Sequence, residues 1–561
     1  MDGIMVRQCD FGPGRWGLVF FIWLLFSALA LADESAPAEE TPAASGEAAE
    51  ETAEPVPASP PPVFSIAQVE SLARSLASQP FQPQDPAKVS FIRDNLGENV
   101  WRSVEFKDDS RLWAGESFFE LSFFHPGSVY DQTVIINIVD QGLAQAVPFR
   151  PGLFNYPNPS LPIRVAESSL GFSGFAVHFP VLDPETKEKG VVFLGASNFQ
   201  ALARQADLGL ASRGLIIDPA LPGGEQYPYF RRFWVVRPKP EDRQITVYAL
   251  LEAPSLTGAF QFVIKPGNST VMESSAVLFP RRGQDWPRKL GLAPVSGMYL
   301  FSEKENGSPY DWRPEVHSAD ALIYAVDNQS WFHRPLNNPR RLLSTVFKDL
   351  PLTGYGLIQK DGNFDHYQDI GARYERRAWV FVEPGEGFGT GYLELLEIPS
   401  SREIHENIQA FWVRDMSSQS PSRELRYDYK LYWTQPSVTP HQLGRVVANR
   451  LLANPDPETA EFFVDFENDY LNALSGETGL ASQVEFEGNF PVLEKRLFKN
   501  PVTGGWRLRF KVRSPISGSL ADTIFTGRDE NRRPPRIRAR LVRGENLPEP
   551  LTETFIYDFH Q

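Results

Sequence analysis

Apolar side chains recur at every second position in a series of short runs: "FFELSFFHPG" (118–127), "QTVIINIVD" (132–140), "GFAVHFPVL" (174–182), "RQITVYALLE" (243–252), "GAFQFVIKPG" (258–267), "STVMESSAVLF" (269–279) and "RAWVFVEP" (377–384). Period-two alternation bounded by Gly, Pro, Asn and Asp predicts half-buried strands. The stretch "FSIAQVESLARSLASQPF" (64–81) instead carries its apolar residues at helical spacing and predicts a helix that ends before Pro83. Strands do not alternate with helices as βαβ units require, so antiparallel sandwiches are expected.

Two prolines in "YWTQPSVTPHQLGR" (432–445) interrupt this pattern, and a second set of strands follows: "EFFVDFEND", "VLEKRLFKN", "GWRLRFKVRS", "RIRARLVRG" and "TETFIYDFH". About 120 residues of short strands suit a small immunoglobulin-like sandwich. The chain has 561 residues, more than one hydrophobic core usually organises. The expected division is a large β-sandwich over 64–434 and a small one over 441–561.

The first 63 residues break both patterns. Arg7 and Arg15 precede the apolar run "WGLVFFIWLLFSALALA", which closes on the small-residue site Ala30-Leu31-Ala32. This is the build of an export signal over residues 1–32, cleaved before Asp33. Residues 33–63 are an acidic Ala/Pro-rich linker that cannot bury enough apolar surface to fold. The only cysteine, Cys9, would leave with the signal, so disulfides and cysteine-ligated metals are excluded from the mature chain. The linker accounts for part of the formal charge of −15, and Lys and Arg are scattered without long basic runs. Nucleic acid is therefore an unexpected partner. Eight histidines with no H-x-x-x-H on a helix give no metal set, and no cofactor is implied.

The segments "LGASNFQALA", "GLASRGLIIDPALPGGEQYPYFRRFWVVRPKP", "TVYALLEAPSLTGAFQF", "KLGLAPVSGMYLF", "RPEVHSADAL", "RPLNNP", "GYGLIQKDGNFDHYQDIGARYERRAWVFVEP" and "NPVTGGWRLRF" resemble the periplasmic glucan biosynthesis family (OpgG/OpgD, also called MdoG). The resemblance implies a galactose-mutarotase-like β-sandwich followed by an immunoglobulin-like one. It also implies a periplasmic role on glucans with β-1,2-linked backbones, beside a membrane-bound glucan synthase. Some members resemble inverting β-1,2-glucan hydrolases or transglycosylases that use two Asp as acid and base; others are known as partners in assembly.

An inverting site sets a protonated carboxyl and an ionised one roughly 6.5–9.5 Å apart, with room for a water. Where the family reads Asp-Asn-Ile after an "EIP" turn, this chain has Glu406 in "EIPSSREIHENIQAFW". Where the family places the base after a His, "RPEVHSADAL" has Ser318, which cannot accept a proton at neutral pH. Asp320, two residues on, either substitutes as base or is a strand-entry Asp bonded to backbone. Asp369 and Tyr374 match a polar stretch near the family's cleft, the Tyr as a proton relay; the bland role of Asp369 is a salt bridge to Arg373, Arg376 or Arg377. His317 serves the sugar or a structural hydrogen bond. Trp331, Arg334, Trp312 and Tyr355 are candidate sugar contacts, each weighed against a place in the core, and Trp234 reads as core. Asn337 and Asn338 are sugar donors or an ordinary turn. Leu208 stands where relatives commonly carry Tyr. The competing reading is a non-catalytic glucan-binding scaffold.

Overall fold

A computed structural model describes residues 63–561 except 169, 182, 184, 306–310, 349–350, 417–423, 454–458, 477–478, 488–490, 514–534, 545–547 and 560–561. The proposed signal and nearly all of the linker lie outside the described residues. Among the described residues no helix is long and apolar enough to cross a membrane.

The alternation in the sequence becomes an all-β sandwich. A 10-stranded sheet, with Gly174–Pro180, Lys187–Leu194, Leu290–Gly297 and Ile408–Arg414 among its strands, packs against a 15-stranded one. Aromatic residues close the space between them: Phe175 meets Phe233 at 5.0 Å, Phe193 meets Phe262 at 5.5 Å and Phe199 meets Trp433 at 6.1 Å. Burial of such rings is the main favourable term holding the sheets together. In Leu425–Thr434 the inward Tyr427, Tyr429, Leu431 and Trp433 alternate with Arg426, Asp428, Lys430 and Tyr432.

The helix expected near the start spans Ile66–Ala77, with Ser65 and Gln68 forming a capping box. Val69, Ala73 and Ala77 pack on the outer face of the large sheet against Leu250, Val277, Phe279 and Trp234, so Trp234 is core as its alternation indicated.

The C-terminal strands form a second core. A four-stranded sheet of Arg445–Ala453, Thr459–Glu467, Trp506–Arg513 and Val492–Lys499 contributes Phe462, Val464, Trp506 and Phe510. The opposing layer of Leu480–Phe486, Arg536–Arg543 and Thr554–Asp558 contributes Ile537, Ala539, Leu541 and Phe555, and is itself the end of the 15-stranded sheet. The join is a parallel pairing of Trp331–Pro335 with Thr554–Asp558, in the register Phe332↔Thr554 and His333↔Phe555.

Three residues proposed as sugar contacts are used inside this scaffold. Arg334, 1% exposed, forms a two-pronged pair with Glu397 (2.7 and 2.9 Å) and reaches Asp558 at 3.3 Å. Trp331 is buried between Phe381 (5.6 Å) and His441 (4.6 Å). Tyr355 is fully buried, its hydroxyl donating to the carbonyls of Ala293 (2.7 Å) and Leu292 (3.1 Å). None of the three can stack on or bond to a ligand from solvent; their strands carry them inward, and sequence alternation does not say which face is inner. Nearby, the buried carboxylate of Glu553 accepts from His441 (2.9 Å) and from the Val446 N–H (2.8 Å), with His333 at 3.5 Å. Burial would raise the Glu553 pKa, but the two histidines hold it far below the carboxylate range.

Candidate functional site

The remaining candidates gather where the segments 296–305, 311–320, 359–376 and 400–407 meet. Gly297 allows the close packing: a Cβ there would stand 2.5 Å from Leu210 and 3.3 Å from Ala319. Successive residues of "VSGMY" then hold three of the groups. Ser296 Oγ donates to Glu406 Oε2 at 2.7 Å, the Met298 N–H donates to Ser318 Oγ at 3.0 Å, and the Asn407 side chain exchanges two 2.9 Å bonds with the backbone of Tyr299. Glu406 is exposed and, among the described residues, forms no ion pair, whereas Ser318 is occupied with backbone.

Arg313 is the hub of a charge network. It pairs with Asp311 (2.7 Å), Asp369 (2.8 Å) and Glu403 (2.6 and 3.0 Å), tying together three loops. The Tyr374 hydroxyl donates to Glu403 Oε2 at 2.5 Å. The Arg313 guanidinium lowers the Glu403 pKa, burial opposing and the Tyr374 bond assisting. Burial and the Glu403 charge push the Tyr374 phenol well up. For Asp369, burial works upward but is outweighed by the Ala372 N–H, Arg313 and the Gly371 N–H, so its pKa is lowered. Asp369 thus does form a salt bridge, but to Arg313 rather than to Arg373, Arg376 or Arg377. Trp312 (70% exposed), Ile370 (81%) and Ile404 (67%) each directly adjoin a member of this network. They place apolar surface beside a charged centre.

Behind it lies a buried chain. His317, fully buried and stacked on Tyr299, has Nδ1 2.8 Å from Gln359 Oε1 and Nε2 2.8 Å from Glu315 Oε2. The Gln359 amide nitrogen donates to the carbonyls of His317 (3.0 Å) and Tyr374 (3.2 Å), which fixes its oxygen toward the ring. Both ring nitrogens therefore face acceptors, and the imidazolium suits the site. Burial lowers the His317 pKa, but the Glu315 bond and the charges of Asp320, Glu315 and Glu303 raise it overall. The resulting stability is full below the unfolded value near 6.5 and is lost as pH rises through the raised folded value. Urea unfolding of the wild type is expected to show this loss between neutral and alkaline pH, and His317→Gln to lack it. Equal pH profiles for the two would refute the assignment.

Asp320 is 4% exposed: Oδ2 accepts from the Lys360 N–H at 3.0 Å, with Lys360 Nζ at 3.8 Å, while Oδ1 has no partner among the described residues. Its own N–H donates to the Ile358 carbonyl at 2.8 Å. Lys360 stays charged: burial alone would lower its pKa, but Asp320, Glu303, Glu315 and Asp361 raise it. Asp320 is thus a backbone-anchored, cation-paired carboxylate. Asn337 and Asn338 are also structural. The Asn337 side chain accepts from Lys304 (3.0 Å), and Asn338 exchanges bonds with the backbone of Ser400 (2.7 and 3.0 Å). Leu208 accepts, through its carbonyl, from Arg377.

The structure therefore unites Asp369, Tyr374 and the loop carrying Trp312. It sets Glu406 apart on Ser296 and uses Asp320 and His317 in the layer beneath. Sequence reasoning missed Glu403, three residues before Glu406 in the same turn; its one signal was a second acid in "SREIHENI".

The all-β sandwich thus presents one exposed carboxyl and two carboxylates of an ion-pair network near exposed apolar side chains. The chain belongs to the periplasmic glucan biosynthesis protein family, MdoG, whose model matches residues 64–559. It is 36% identical over 460 residues to the glucans biosynthesis protein G of Ralstonia nicotianae, covering 80% of this chain and 90% of the relative. To the proteins of that name from Serratia proteamaculans and Pseudomonas aeruginosa (strain LESB58) it is 33% and 34% identical, covering 89% of this chain and 94% and 93% of theirs.

Proposed function

We propose that this protein, exported to the periplasm, binds β-1,2-linked glucan backbones and cleaves or transfers them, with Glu406 as proton donor. The observation that carries the reading is the partition of carboxyl groups. Among the described residues Glu406 bonds only the Ser296 hydroxyl, whereas Glu403 and Asp369 are held ionised with the help of Arg313. One exposed carboxyl on a hydroxyl and a second within an ion-pair network supply the two differently placed carboxyl groups that acid and base roles need. The sugar lies against Trp312, Ile370 and Ile404. Glu403, through Tyr374, is the acceptor side of the relay, with Asp369 steadying Arg313; Asp320 is too enclosed to meet water directly.

Incubation of the mature chain with linear β-1,2-glucan, following chain length and the anomer released, tests this. Shortened or transferred chains support it. Trp312→Ala is expected to weaken glucan binding about fivefold, equivalent to roughly 1 kcal/mol for an aromatic contact. Because Trp312 is exposed, the thermal midpoint should not move. A second reading, a scaffold that escorts a nascent chain beside a membrane synthase, is favoured by one observation: Ser318 stands in place of the family base and is bonded to backbone. Glucan binding without turnover would select it.

A further inference from the structure

The face of the large sheet opposite the C-terminal core carries a cavity of about 220 Å³, lined by Tyr324, Phe332, Gln483, Glu485, Arg538, Arg540 and Thr554. In Arg536–Arg543, Ile537, Ala539 and Leu541 fill the small core, so Arg536, Arg538 and Arg540 project to the other side. Register aligns this side across the join: Gln483 pairs with Arg540, Glu485 with Arg538, Thr554 with Phe332, and Phe332 with Tyr324. The cavity exists only because the sheet is continuous there.

Its chemistry is selective. Tyr324 stacks on Phe332 at 4.7 Å and 11° and also meets Phe347 at 4.9 Å. The half-exposed Phe332 thus offers a rigid, pre-set ring. Arg540 donates Nε–H to Gln483 Oε1 at 2.8 Å and, among the described residues, meets no carboxylate; Arg538 pairs with Glu487 at 2.8 Å. Arginine only donates, Glu485 only accepts, and Gln483 and Thr554 do both. A bare anion would face Glu485, and a bare cation would face Arg538 and Arg540. Neutral hydroxyls, which both donate and accept, match the set, and C–H bonds of a sugar ring match the aromatic face. The volume falls below the roughly 300 Å³ at which drug-sized pockets begin, which suits a single ring.

We infer that this cavity is a second carbohydrate site, taking one neutral hexose unit on Phe332 with Arg540, Arg538, Gln483 and Glu485 on its hydroxyls. Its identity as a glucan unit rests on the function proposed above; its affinity for a sugar does not.

The test is calorimetric titration of the full mature chain with linear β-1,2-glucan oligomers, on wild type, Arg540→Ala, Phe332→Leu and Trp312→Ala. Thermal midpoints verify folding, and the half-exposed Arg540 is the safer of the two groove variants. Two binding events are expected, one weakened roughly fivefold or more by Arg540→Ala and Phe332→Leu and the other only by Trp312→Ala. A single event indifferent to both groove variants overturns this inference and leaves the first site standing. A single event lost only in the groove variants keeps the inference and removes the first site. No binding to wild type overturns both.

Discussion

Glu406→Gln is expected to lower turnover of β-1,2-glucan by about 10²–10⁴-fold, the usual worth of one general acid, while leaving glucan affinity within twofold. The amide keeps the size of the side chain and can still accept from Ser296 Oγ, so the loop that Asn407 pins to Tyr299 stays in place. What disappears is the transferable proton. Asp320→Asn is the informative companion. Asp320 is buried beside Lys360 with one oxygen that has no partner among the described residues, so the amide disturbs packing and charge more than chemistry. A stability loss at nearly unchanged turnover marks it as structural; equal loss of turnover in both variants would restore it as the base. Steady-state rates with product sizing, beside urea midpoints, separate these outcomes.

Arg334→Met should be the most destabilising single change at the join of the sheet, about 3–5 kcal/mol, as when one partner of a buried pair is removed. The substitution strands Glu397 and leaves Asp558 with Arg536 at 2.6 Å. The double variant Arg334→Met/Glu397→Met should recover part of the loss, since the cost lies mainly in an uncompensated buried charge. Denaturant unfolding measures both. A single-variant effect below about 1 kcal/mol would show that water reaches the pair.

The fold was legible because alternation is a local property. A strand such as Leu425–Thr434 writes its inner and outer faces directly into "LRYDYKLYWT". The site was legible only in part, because its contacts are not local. Asp369 has arginines four, seven and eight residues ahead in sequence, yet it is bonded to Arg313, 56 residues behind. Glu403 acquires its role from Arg313, 90 residues away, and from Tyr374. Trp331, Arg334 and Tyr355 illustrate the converse. Aromatic and charged residues on strands read as sugar contacts until the tertiary pairing shows two faces buried, one against the other sheet and one against the C-terminal strands. The parallel pairing of Trp331–Pro335 with a strand over 200 residues later leaves no trace in composition or spacing.

That pairing also orders events in time. A chain delivered amino end first carries Trp331–Pro335 long before Thr554–Asp558 emerges, and until then the strand has one unoccupied hydrogen-bonding edge. Arg334 waits equally long for Asp558, 224 residues downstream. An incomplete chain is therefore adhesive at its middle, and the last strand acts as the latch that ends its exposure.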